Sequence, residues 1–150
     1  MVWVILNNGK YVGRPLREDK SLNPKPIRIL PRDAKPEEIG WELEGDSIGG
    51  YIAKIRGAPT APGIPPAPND KVFALLIDQD KAERWHFVPV PQHGLNQFII
   101  VGHDQSNGKG WVAPREEGEQ IDYRLLIVQP SYPPRYPPNE VFEIKQVVFD

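Results

Sequence analysis

The run Gln129-Pro130-Ser131-Tyr132-Pro133-Pro134-Arg135-Tyr136-Pro137-Pro138-Asn139-Glu140 carries one cation between two Tyr-Pro-Pro segments. Each proline holds its own φ near about −65° and pushes the residue before it toward extended backbone. The run is therefore predicted to be stiff and extended, with Arg135 at its tip. The chemistry open to such a segment is recognition. A guanidinium on a pre-ordered extended chain matches the acidic S1 pocket of a trypsin-like serine protease, and the Arg135–Tyr136 bond is not followed at once by proline. On this reading Pro133, Pro134, Arg135, Tyr136 and Pro137 form the protease-binding loop, with Arg135 at P1. The Pro-x-x-Pro spacing also suits aromatic-grooved binding modules. A second basic loop, from Arg17 to Lys25, offers Arg17 and a Lys20-Ser21 pair. It has only Pro24 to stiffen it, and Glu18 and Asp19 adjoin Arg17. The proline-flanked loop is preferred because rigidity on both sides of a bond lowers the ordering cost of docking. Arg115 is disfavoured by the acids that follow it.

Bond-making chemistry finds no support. His86, His93 and His103 lack metal-ligand spacing, and no glycine-framed serine is present. His103 beside Asp104 is the one adjacency that suggests an acid–base pair, and surface polarity explains it more simply. His86, next to Trp85 on a predicted strand, is expected to face solvent. Glu116, Glu117 and Glu119 read as solvated loop charge, and Gly108-Lys109-Gly110 is too short for a phosphate loop. The chain is thus expected to be neither an enzyme nor a cofactor binder.

Composition narrows the class further. A length of 150 residues fits one domain spanning 1–150 with a real core. A net charge of −2 gives no basic field for nucleic acid or anionic lipid. No cysteine is present, which excludes disulfides and thiolate sites and suits a reducing compartment. No apolar run approaches the roughly 20 residues of a membrane span, and the N-terminus lacks the form of a secretory leader. The basic run from Arg14 to Arg32 is interrupted by acids and reads as a solvated face.

The elements that must carry these loops are short strands. Eighteen prolines and thirteen glycines cluster between brief apolar runs, which favours an all-β fold. Asn8-Gly9 predicts a tight hairpin between Trp3–Leu6 and Tyr11–Leu16. Further strands are predicted at 27–30, 41–43, 51–55, 72–77, 85–88, 98–101, 110–112, 123–128 and 141–148, and residues 33–38 can form one helical turn. The pattern repeats. Opening strands begin near Trp3, Tyr51 and Phe98; third strands carry Ile27–Leu30, Phe73–Ile77 and Arg124–Val128; fourth strands share Trp41-Glu42-Leu43, Trp85-His86-Phe87 and Phe142-Glu143-Ile144. Second strands are predicted to end in Gly13-Arg14-Pro15, Gly57-Ala58-Pro59 and Val112-Ala113-Pro114. Three copies of a four-strand unit, each with a large aromatic where the copies converge, give twelve strands in pseudo-threefold array, a β-trefoil.

Six stretches carry a family resemblance: Tyr11-Val12-Gly13-Arg14-Pro15, Glu18-Asp19-Lys20-Ser21-Leu22, Gly57-Ala58-Pro59-Thr60, Val72-Phe73-Ala74-Leu75-Leu76-Ile77-Asp78, Gly110-Trp111-Val112 and Pro137-Pro138-Asn139-Glu140-Val141-Phe142. Together they resemble the mushroom β-trefoil serine protease inhibitors over nearly the whole chain. The resemblance implies a cysteine-free, cytoplasmic protein of fruiting bodies that blocks trypsin-like enzymes with one surface loop and needs no cofactor; the threefold strand pattern leads to the expectation of a monomer. Members differ in the loop they use. One arrangement places a basic P1 residue between the third and fourth strands of the last copy, here Arg135. Another uses the loop between the second and third strands of the first copy, here Arg17 to Lys25. Two alternatives share the fold. A sugar-binding trefoil would carry Gln-x-Trp in each copy, whereas this chain has Gly40-Trp41 and Arg84-Trp85 and then a phenylalanine. A cysteine protease inhibitor would insert other loops, such as Gly57 to Asn69.

Overall fold

The computed structural model describes residues 1–149. Thirteen strands are present among them: β1 (Val2–Asn7), β2 (Lys10–Gly13), β3 (Lys25–Pro26), β4 (Arg28–Ile29), β5 (Trp41–Asp46), β6 (Gly50–Ile55), β7 (Ala58–Pro62), β8 (Val72–Ala74), β9 (His86–Pro89), β10 (Gln97–Val101), β11 (Lys109–Val112), β12 (Asp122–Leu125) and β13 (Phe142–Val147). One helical turn, α1 (Pro36–Ile39), lies between β4 and β5. Asn8 and Gly9 take φ of 51° and 78°, the positive values a two-residue hairpin turn needs to match strand twist.

The predicted twelve-strand repeat is present, with one third strand split in two. At Ile27 the chain changes partners. Lys25 and Pro26 pair with β8, while Arg28 and Ile29 pair with β2. Ile27 itself donates to Val72 O and accepts from Ile121 N, so it bonds to the second and third copies at once. The second-strand alignment needs one correction. Gly57-Ala58-Pro59 opens β7 instead of closing it, because Arg56 and Gly57, at φ of 48° and 77°, form the hairpin turn.

First and fourth strands close a ring. β1 pairs with β13 and β5, β5 with β6, and β10 with β9 and β13. A bridge from Tyr51 to Trp85 joins β6 to β9 and completes a six-stranded barrel. The second and third strands form hairpins over it: β2 with β4, β7 with β8, and β11 with β12. Trp41, Trp85 and Phe142, one from each fourth strand, are fully buried around Trp111, with ring centroids 6.0, 5.3 and 6.1 Å away. Fully burying such side chains contributes about 1.5–3 kcal/mol each, so the repeated aromatic holds the copies together. Two indoles are each tied to their own second strand, one through a main-chain carbonyl and one through a hydroxyl. Trp41 Nε1 donates to Val12 O and Trp85 Nε1 to Thr60 Oγ1, both at 2.9 Å.

The apolar runs 72–77 and 123–128 pair as strands over only their first few residues. Ile77, Leu125, Ile127 and Val128 are exposed. The second of these runs leads into the 126–141 connection, and the 14–24 connection joins β2 to β3.

Candidate functional site: two braced basic loops

The 129–140 segment does not extend outward with arginine at its apex. It folds back on itself as a small hairpin, in which Gln129 N donates to Arg135 O at 2.8 Å and Arg135 N to Gln129 O at 3.4 Å. The turn is Ser131 to Pro134, where Ser131 Oγ donates to Pro133 O and the Tyr132 ring is fully exposed. Arg135 is exposed on the returning leg. Pro134, Tyr136 and Pro137 are half-buried, and Pro133 is exposed. The β9–β10 connection clamps that leg. Gln92 Nε2 donates to Pro134 O at 2.7 Å, and Tyr136 N donates to His93 Nε2 at 3.1 Å. Tyr136 packs on the apolar cluster of Val90, Ile99, Val101 and Val141. At the base of the loop, buried Glu140 accepts from Ile127 N at 2.8 Å. Both peptide groups of Arg135 are therefore committed inside the loop.

The 14–24 connection is built differently. Its first half is held by two buried or half-buried arginines. Arg14 sends Nε and Nη2 to the two oxygens of Glu18 at 2.9 and 3.0 Å. Arg56, from the β6–β7 turn, donates to the carbonyls of Arg14 and Pro15 at 2.7 and 3.1 Å. Leu16 N donates to Glu38 of α1. The second half closes over Lys25, whose side chain is 3% exposed. Its ammonium donates to Asp19 O at 3.1 Å, to the Asp19 carboxylate and to Ser21 Oγ at 3.3 Å. Asp19 also accepts from Ser21 N at 3.0 Å, and Ser21 Oγ accepts from Asn23 N at 3.2 Å. The Lys25 ammonium, the Ser21 hydroxyl and the Ser21 amide, in that order, hold the Asp19 carboxyl down to about 2.

What this network leaves outside is a basic tip. Arg17, Lys20, Ser21, Leu22 and Asn23 are exposed, and the N–H and C=O of Lys20 carry no hydrogen bond among the described residues. Beyond the tip, Leu22 to Pro24 border an open groove of about 410 Å³ shared with Ile64–Ala67 and Leu75–Asp78. Two expectations change here. Arg14 and Lys25 are not part of a solvated basic face but are the buried struts of the loop. Of the acids beside Arg17, Glu18 turns inward onto Arg14, whereas Asp19 pairs with Lys25 while its own side chain stays largely exposed. No local sequence signal separated the buried from the exposed cations. Arg56 lies on another hairpin altogether.

The other candidates fall elsewhere. His86 is buried and stacks on His103, with ring centroids 5.6 Å apart, because Gly50 at positive φ brings its backbone over the imidazole. Asp104 accepts from Ser106 N and Oγ at 3.1 and 2.5 Å and so caps a short turn. In the 57–69 stretch, Ala58, Pro59, Thr60 and Ala61 are buried in β7.

The described residues form a scaffold that presents two braced surface loops, the architecture of a protein that binds through loops. Residues 2–146 match the model of the family described as peptidase inhibitor I66, and the chain belongs to that family of inhibitors, not to an enzyme family. It is 49% identical over 144 residues to a serine protease inhibitor of Lentinula edodes, covering 95% of this chain and 93% of the relative. A proteinase inhibitor structure from Coprinopsis cinerea superposes with a TM-score of 0.85 at 41% identity, covering 97% of both chains. The designed threefold symmetric protein ThreeFoil matches with a TM-score of 0.69 at 13% identity over 97% of this chain and 99% of its own. That last likeness bears on the trefoil fold alone.

Proposed function

We propose that the chain inhibits trypsin-like serine proteases by offering the loop around Lys20–Ser21 as a stiff, substrate-like segment, with Lys20 at P1. The observation that carries this reading is the free backbone of an exposed lysine between two flanks tied to buried cations. A docked substrate must give its P1 carbonyl to the oxyanion hole and its side chain to S1, and Lys20 has both available. The serine protease inhibitor from Lentinula edodes supports the protease class, and the acidic S1 pocket of trypsin suits an ammonium.

A second reading keeps Arg135 at P1 in the loop of Pro133, Pro134, Tyr136 and Pro137. It is favoured by the exposed guanidinium and by the clamps on Pro134 and Tyr136. The Arg135 carbonyl already accepts from Gln129 N, so an oxyanion hole would have to share or displace that bond. Inhibition constants against trypsin for Lys20→Ala and Arg135→Ala separate the two. Removing a central charged anchor from an interface costs on the order of 2–5 kcal/mol, and a rim charge less than about 1 kcal/mol. Lys20→Ala is expected to weaken inhibition at least thirtyfold and Arg135→Ala by less than fivefold; the reverse order moves the reactive loop to 129–140.

A further inference from the structure

We propose that Asp19 and the buried Lys25 are positioning residues that bracket the Lys20–Ser21 bond and hold its two ends in register after a protease has cut it. The inference rests on the reading of Lys20 as P1. Asp19 stands immediately before Lys20, and its carboxylate accepts from both the amide and the hydroxyl of Ser21, the residue immediately after it. The bracket thus spans the bond without using either peptide group of Lys20. Lys25 fixes the bracket from below by gripping the Asp19 carbonyl, the Asp19 carboxylate and Ser21 Oγ together. Its stem is enclosed and its ammonium has no other side-chain partner among the described residues, so three loop acceptors satisfy a charge that burial would otherwise penalise.

The consequence concerns the leaving group. When the protease serine attacks, its Oγ bonds to the Lys20 carbonyl carbon, the Lys20 C–Ser21 N bond breaks, and the serine's proton passes to Ser21 N. The new amine remains beside the Asp19 carboxylate, and the Ser21 hydroxyl remains on Lys25. In a flexible loop the amine would diffuse away and water would finish hydrolysis. Held in place, the amine attacks the ester again: the C–N bond re-forms, and the proton returns to the serine Oγ as it leaves. Fixing the two ends makes this return effectively unimolecular. Tight binding with little net cleavage follows.

The experiment compares the full chain with Lys25→Met, Asp19→Ala and Asp19→Asn. Each is incubated with catalytic trypsin, and the cut and intact forms are quantified by mass spectrometry, starting from intact and from pre-cut protein. Asp19 is largely exposed, but its variants leave the buried Lys25 ammonium without its counter-charge, so every digestion is run well below the variant's own thermal midpoint. Lys25→Met and Asp19→Ala are expected to be hydrolysed at Lys20–Ser21 at least tenfold faster and to lose resealing of the pre-cut form, with circular dichroism showing the trefoil folded at the digestion temperature. Asp19→Asn, which keeps an acceptor for Ser21 N but no charge for Lys25, is expected to lie between Asp19→Ala and the parent. Unchanged resealing in Asp19→Ala overturns the bracket whatever Lys25→Met does. The Lys20→Ala control separates the two failures. If it abolishes trypsin inhibition while the bracket variants behave as the parent, only the bracket falls; if it leaves inhibition intact, the P1 reading falls and the bracket with it.

Discussion

Glu140 shows how one side chain can hold a loop at a cost. One carboxylate oxygen accepts from Ile127 N, joining the two ends of the 129–140 segment, while the other is buried with no partner. Burial raises its pKa above the usual glutamate range, and the Ile127 bond and the Arg124 charge offset part of that rise. A raised folded-state pKa means that the contribution to stability is fully present below the unfolded value and is lost as pH rises through the folded one. Glu140→Gln is neutral at every pH and keeps an acceptor. The variant is therefore expected to match the parent below about pH 4 and to gain on it toward pH 7, by on the order of 1 kcal/mol. Thermal melts across that range check the crossing; a variant less stable than the parent at neutral pH would show that the carboxylate charge itself is needed.

At the scale of elements, the same surface task is met in two ways. Segment 129–140 is stiffened by prolines and by a clamp from the β9–β10 turn, whereas 14–24 is stiffened by ionic struts from below. The clamp depends on a proton. His93 must present an unprotonated Nε2 to accept from Tyr136 N, and burial, then the charge of Arg135, lowers its pKa from 6.5. For a depressed histidine the stabilisation is present above the unfolded pKa and is lost as pH falls through the lower folded value. The Tyr136 amide is expected to lose about 1 kcal/mol of hydrogen-exchange protection below that point, roughly a fivefold change, while Ser21 keeps its protection. Ser21 is held by an aspartate that ionises near 2 and is unaffected in that range. Equal loss at both amides would show a global effect of acid instead.

Over the whole molecule, what was legible in the sequence was whatever repeats. Trp41, Trp85 and Phe142 recur with their strands because each copy must send one large apolar group to the common axis, and that need leaves a periodic trace. Pairing between copies leaves none. The break at Ile27 and the handover from β8 to β2 come from contacts 45 residues or more away in places, beyond any local pattern. The extent of strands was overstated where apolar residues such as Ile77 and Ile127 line exposed connections. The loops were found, but their mechanics were not. Proline is visible as a letter, so 129–140 looked rigid, whereas the rigidity of 14–24 arises from Arg14 and Lys25, which read as ordinary surface charge until the fold buries them, and from Arg56 on a distant hairpin.

The most direct test of the account is the position of the bond that a protease recognises. The intact inhibitor is held with a catalytic amount of trypsin for several days, and the products are identified by mass and by N-terminal sequencing. The account predicts one slow cut, giving a new N-terminus at Ser21 and two fragments that stay together on the folded trefoil and still inhibit. A first cut that exposes Tyr136, with residues 14–24 intact, would contradict it and place the reactive bond at Arg135.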